Sequence, residues 1–363
     1  MCTPPNHRWE IASALARIDE LWPDACIAGR VDDWLREGVD IDADGFYSEQ
    51  SPNYAAYVSN PSLLTLARLT ARPELLDPVR HLAEVLVEPM LARTLPPAAP
   101  QAAVDEAFYS WVGLARRRNG RDTLTVFGGG DFARTRRIAS GLANSAVFLR
   151  MRHGDAILDA MRVSPQFFDL GAFRAGSIEQ HNDGDGFVLR ERRASGYYQP
   201  LAAAKLSRTG EYDLGDEGRF FGSMSFPRRD LSPIVLDTTV SVDEVAGGVD
   251  VSMAFDGVST DYAIELVFRP GGVLEGVTAL PGTDAAVFAD GTARYSVGDD
   301  VIEFRAAPGS VLLPGRRPRF DEGEMFGYVG GIDRIPGLRV LIAGRTDAPF
   351  TLELRTGTAA GPV

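Results

Sequence analysis

Cysteine is nearly absent: Cys2 and Cys26 are the only two in 363 residues. Two cysteines build neither a disulfide framework nor a zinc site by themselves, though a single Cys2–Cys26 bridge stays open. Histidine is scarce as well, with His7, His81, His153 and His181 and no His-x-His or His-x-x-x-His spacing. No metal and no cofactor is therefore expected. No run of about 18 apolar residues occurs, so no membrane span is expected. The first residues lack a basic stretch followed by an apolar one, so no secretory signal is visible and the chain as it stands reads as cytoplasmic. Gly-x-Ser-x-Gly, the strand-to-helix elbow of serine hydrolases, is missing. Gly128-Gly129-Gly130 is followed by Ala133-Arg134-Thr135-Arg136-Arg137 rather than Gly-Lys-Ser/Thr, which reads as a flexible junction, not a phosphate cradle. Positive charge is also short, 37 Lys and Arg against 50 Asp and Glu, for a net charge of -13. Such a field repels nucleic acid and anionic membranes, and neither is expected as a partner. Local arginines can still hold one carboxylate at contact range.

What is present changes character along the chain. The first third is rich in Ala, Leu and Arg, and the remainder in Gly, Val, Asp and Phe. Trp9, Ile11, Ala12, Leu15, Ile18 and Leu21 recur at three- and four-residue steps, which predicts a helix over 7–22 ended by Pro23. A shorter helix is expected over 31–37, stopped by Gly38. Asn60-Pro61-Ser62 opens another, 73–93 reads as mostly helical, and Phe108, Trp111, Val112 and Ala115 suggest a last helix over 105–118. From Ser145 the pattern is short strands with Gly-rich turns. Examples are 146–151 and 156–161 around Arg152-His153-Gly154-Asp155, then 186–190, 235–242, 248–255, 263–268, 301–306, 338–343 and 350–354. The expected organisation is an α-helical domain over 1–122, a junction over 123–144 and an antiparallel β-sandwich over 145–363.

Two segments carry candidate chemistry. One is Asn6-His7-Arg8-Trp9 at the head of the first helix, offering an amide donor beside a tunable base. Asn6 also suits a plain helix N-cap. The other runs from Asp44 through Glu49 to Tyr54 and Tyr57, a polar loop dense in phenols, with Tyr47 as a third. Packing on the following helix is the simpler role for those tyrosines. Asp42, Asp44 and Glu49 could supply the paired carboxylates of a glycoside hydrolase, or form a solvated acidic loop. His81 reads as structural and His153 as solvated in its turn. His181 lies in the polar loop Glu179–Asp185 and is the more interesting of the later histidines.

Together these segments resemble the heparinase II/III-like polysaccharide lyases of the chondroitin AC/alginate lyase fold group. The resemblance implies a partial (α/α) toroid followed by an antiparallel β-sandwich, with β-elimination on a uronate-containing saccharide. It assigns Asn6, His7 and Tyr54 to catalysis: the amide neutralises the substrate carboxylate, and the imidazole and phenol move protons at C5 and O4. Arg8, Glu49, Tyr57, His181 and Tyr197 would contact substrate. The family's His-rich stretch in the first sandwich strands is not recognisable, and its early toroid helices are missing, so either the ring is open or more helices are encoded upstream of Met1. The alternatives are a non-catalytic carbohydrate-binding protein of the same architecture and a glycoside hydrolase.

Overall fold

A computed structural model describes residues 5–41, 47, 54–82, 104–110, 112–130, 145–168, 171–181, 184–200, 202, 204, 229–313, 315–320 and 335–359. Helix α1 (Pro5–Leu21) forms as its periodicity predicts, whereas α2 (Ala25–Leu35) starts six residues before the expected 31–37 and ends two residues earlier. The Asp24 side chain accepts from the Cys26 amide to cap α2, and Gly38 past its end takes φ 75°, where a Cβ would strain the chain. A π-helical turn, Ala55–Ser59, leads into α3 (Asn60–Leu69), and a 3-10 turn, Pro73–Leu76, leads into α4 (Asp77–Leu82).

These elements bury Trp9, Ala12, Leu35, Leu63 and Leu66 in one cluster, which also takes in Val112, Leu114 and Phe127 from the first strands. The helical layer is therefore seated on a sheet. Tyr47 belongs to the same cluster, and its hydroxyl donates to Asn60 Oδ1 at 2.7 Å. Burial, and then the Asp40 carboxylate, push its phenol well above the ordinary range, so it remains a donor. Tyr47→Phe should cost about 1 kcal/mol, read as a lower urea midpoint with an unchanged slope.

Strands begin at Val104. The segment 105–118, expected as a helix, is instead β1 (Val104–Tyr109) and β2 (Leu114–Asn119), followed by β3 (Asp122–Phe127). Asn119-Gly120 is the reason: Gly120 adopts φ 57°, and Asn119 pairs with Asp122 in a tight hairpin. Of the apolar residues that suggested a helix, Phe108 is in β1, Ala115 is in β2 and Val112 lies between them, while Trp111 is outside the described residues.

The first sheet continues with β4 (Leu149–His153), β5 (Ala156–Pro165), β10 (Asp261–Phe268), β16 (Leu338–Arg345), β13 (Ala285–Val287) and β12 (Thr278–Ala279). The second runs β11 (Val273–Glu275), β14 (Thr292–Val297), β15 (Asp300–Ala306), β17 (Phe350–Thr358), β9 (Gly248–Gly257), β8 (Leu231–Val245), β7 (Gly186–Tyr198) and β6 (Ser177–His181). Neighbours pair antiparallel except β13 and β16, which are parallel. Period-two alternation places Val240 and Val242 of β8, Val249 and Val251 of β9, and Ile264 and Leu266 of β10 in one core shared by the sheets. Most strands expected from Ser145 onward appear, although the one expected over 146–151 starts only at Leu149.

This is a β-rich, two-sheet architecture with a small helical layer, not a partial (α/α) toroid ahead of a sandwich. Among the described residues the helices form one layer against β1–β3, too few to curve into a ring. The glycine run is not a flexible junction either. The Gly128 amide bonds Gly113 O at 2.8 Å and the Gly130 amide bonds Ala175 O at 2.7 Å. A Cβ on Gly129 would lie 1.8 Å from Val112 O, so the backbones approach too closely for any other residue.

Candidate functional site

The cavity richest in chemistry, at about 250 Å³, opens at one end of the sandwich, between the β2–β3 hairpin and the β8–β9 turn. Arg117 spans it. On β2 the inward side carries Ala115 and then Arg117, so the alternation that fills the core delivers a guanidinium to the mouth. Its plane lies over the Phe187 ring at 5.2 Å. Its Nη1 sits 2.8 Å from Glu244 Oε1 and 3.7 Å from Asp185 Oδ1, and its Nη2 donates to Gly184 O. Glu106 pairs with Arg117 across β1 and β2 and lines the same cavity. The Glu244 amide bonds Asp185 O at 2.9 Å, which fixes the carboxyl at this level of β8.

Burial raises the Glu244 carboxyl above the ordinary range, Arg117 opposes the shift, and the carboxylates of Glu106 and Asp185 add to it. Arg118 brings a second guanidinium whose buried Nε has no hydrogen-bond partner among the described residues. Leu124, Met151 and Val249 form the apolar floor.

Asp122 joins this cavity to a second group. Its Oδ1 lies 2.7 Å from His153 Nδ1, and His153 Nε2 is 4.0 Å from Asp300 Oδ1. Asp300 is buried and held by the Asp155 amide at 2.7 Å and Arg121 Nη2 at 2.7 Å. Gly154 completes the turn at φ 55°, where a Cβ would meet Asp300 Oδ2 at 2.1 Å. His153 was expected to be solvated, but its side chain is only 12% exposed. Strand parity explains this: Leu149 and Met151 point into the core, so His153 does too.

The residues named from sequence are scattered. Asn6 and His7 fall within the first turn of α1, so Asn6 is inside the helix rather than its cap. His7 is exposed. Arg8 is engaged by Glu37 and by Asp40 at 3.7 Å and covers the Trp9 ring at 4.8 Å, so it braces the helical layer. Tyr54 (45% exposed) and Tyr57 (81%) flank or belong to the π-helical turn, which packs on α1. Asp42, Asp44, Glu49 and Cys2 lie outside the described residues, as does the His81 side chain; Cys26 is a free, exposed thiol.

His181 pairs with Asp243 Oδ1 at 3.2 Å on the outer side of the second sheet, and Gly186 opposite leaves room for the ring. It stands behind the cavity wall. Tyr197, its ring tilted against Phe168 at 5.3 Å, is at the other end of β7. Eleven strand residues, about 35 Å, separate it from Gly186, so His181 and Tyr197 cannot touch the same sugar ring. The helical layer meets Leu114 and Phe127, three strand residues and about 10 Å short of Arg117 and Leu124 in the cavity, and no residue of α1 or of the turn after Tyr54 lines it. The structure therefore keeps the α1 and Tyr54 group apart from the Arg117–Glu244 cavity.

Sequence reasoning missed Arg117, Glu244, Asp185 and Glu106. The available signal was the alternation around Asn119-Gly120, which sets Arg117 opposite Glu106 once the hairpin is recognised.

No protein-family model matches the sequence. None of the curated proteins compared with it matches either. Among solved structures, the chain is similar to a galactose mutarotase-like protein from Lactobacillus casei ATCC 334, with 7% identity, 68% of this chain and 100% of that chain covered, and a TM-score of 0.30. A likeness that slight decides nothing about the site.

Proposed function

We propose that the chain binds an uncharged saccharide in the cavity between Arg117–Glu244 and Asp122–His153, and that Glu244 serves there as a proton donor. The observation that carries this reading is the Glu244 carboxyl, raised by burial at the mouth of a cavity it shares with other carboxylates. Two arginines stand against four acids, Glu106, Asp122, Asp185 and Glu244. That balance disfavours a uronate or phosphate here and suits hydroxyl groups, which donate to carboxylates and accept from guanidinium.

Incubation with a panel of neutral and uronate-containing oligosaccharides tests the reading. Binding, or release of reducing ends, is expected from a neutral member, with binding weakened at least tenfold by Arg117→Ala. A response confined to uronates, or one indifferent to Arg117→Ala, would sink it.

A second reading is β-elimination on a uronate-containing saccharide by Asn6, His7 and Tyr54. The packing of α1 against the turn that follows Tyr54 favours it. Its product carries a new double bond, so ultraviolet absorbance growing with a uronate polymer, and lost in Tyr54→Phe, supports this reading. No absorbance with any uronate polymer rejects it.

A further inference from the structure

At the opposite end of β5, ten strand residues and about 30 Å from the first cavity, a second pocket of about 200 Å³ has the reverse charge. Leu313 and residues 315–319 lie at the ends of β5, β10 and β16. The Leu313 amide bonds Ala343 O at 3.2 Å, Gln166 Nε2 donates to Arg319 O at 2.7 Å, and Arg316 pairs with Asp261. Arg316, Arg317 and Arg319 line the pocket against one acid, Asp261, which Arg345 also approaches at 3.3 Å. This is a positive concavity on a protein of net charge -13. Arg317 is exposed and has no ion pair among the described residues.

Tyr262 supplies the second, independent observation. It is 2% exposed, stacked on Phe255 at 4.8 Å, and its hydroxyl is buried with no hydrogen-bond partner among the described residues. Burial holds its phenol well above the ordinary range, so the group stays protonated and can only donate or accept as a neutral hydroxyl. Gly344 lies directly across the ladder, where a Cβ would come within 2.4 Å of that oxygen. Glycine there leaves room for the hydroxyl beside a backbone that lines the pocket. A buried hydroxyl without a partner is costly, and phenylalanine would fill the same core volume without that cost.

We infer that this pocket is an oxyanion site: a small molecule bearing a carboxylate or phosphate group accepts from the Tyr262 hydroxyl and is held by Arg316 and Arg317. The site does not depend on the saccharide reading, because no residue is shared between the two cavities.

Thermal unfolding of the full chain at constant ionic strength tests this, with acetate, inorganic phosphate and a chloride control. Acetate or phosphate should raise Tm above chloride in a saturable way; which one does so identifies the group. Arg317→Gln should leave the Tm in chloride unchanged and weaken the anion about tenfold. Tyr262→Phe should raise the Tm in chloride while abolishing the anion-dependent rise. No rise with either anion, or an undiminished rise in both variants, would mean a water-filled pocket and overturn the inference. A Tm in chloride lowered by Tyr262→Phe would overturn the role given to its hydroxyl.

Discussion

Glu265→Ala is expected to cost the fold about 3–5 kcal/mol. Glu265 is wholly buried on the outer side of β10, and both of its oxygens are spoken for. Arg162 Nε donates to Oε2 at 2.7 Å and Arg339 Nε donates to Oε1 at 2.7 Å. Arg162 is itself buried, with its guanidinium 4.6 Å from the Phe320 ring centroid. Removing the carboxylate takes away the partner that two guanidinium groups share out of water, although Asp284 stays 3.6 Å from Arg339, and that loss costs far more than the pair contributed. Urea unfolding should show a much lower midpoint at unchanged slope. The triple replacement Arg162→Met, Glu265→Leu, Arg339→Met should recover most of the loss, because it removes the three buried charges together and leaves only the half-exposed Asp284, which water can solvate. A loss under about 1 kcal/mol in Glu265→Ala would show that water reaches the triad.

Glu244→Gln carries the largest expected effect on activity, a fall of about 10²–10⁴ in turnover of whichever neutral saccharide responds. The amide keeps the shape and can still accept from Arg117, but it has no proton to deliver. For the wild type, the rate should fall as pH rises through the raised pKa of Glu244, since the donor is then lost, and Glu244→Gln should not show that fall. Stability follows the same group. Its native carboxyl binds a proton more tightly than the unfolded chain does, so its contribution is complete below about pH 4, the unfolded carboxylate range. That contribution declines as pH rises through the native value. The wild type should therefore lose stability relative to Glu244→Gln across that interval, and equal pH dependence in the two proteins would count against the assignment.

The strand half of the molecule was legible because period-two alternation and glycine turns are local. β8 and β9 around Ala246-Gly247, and β4 and β5 around Gly154-Asp155, follow directly from the residues. The helices over 5–21 and 60–69 were legible for the same reason, through a different period. Residues 104–119 were not. β1 and β2 are short, and the second carries Arg116, Arg117 and Arg118 where a strand prefers branched or aromatic side chains. Tertiary pairing with β3 overrides that local preference. Misreading this one hairpin hid the candidate site. Arg117 meets Glu244 across 127 positions of chain, a proximity that only the stacking of the two sheets creates. The same limit applies to His153, whose partner Asp122 opens β3, a strand that the sequence reading had placed almost wholly in the 123–144 junction.

Backbone amide chemical shifts, followed while the responding neutral saccharide is titrated into the full chain, test the site most directly. The account predicts that the perturbed amides cluster at 117–124, 184–186 and 244–249, the rim of the Arg117–Glu244 cavity. Perturbations gathered instead at 5–9 and 54–60, on the helical layer, would contradict it.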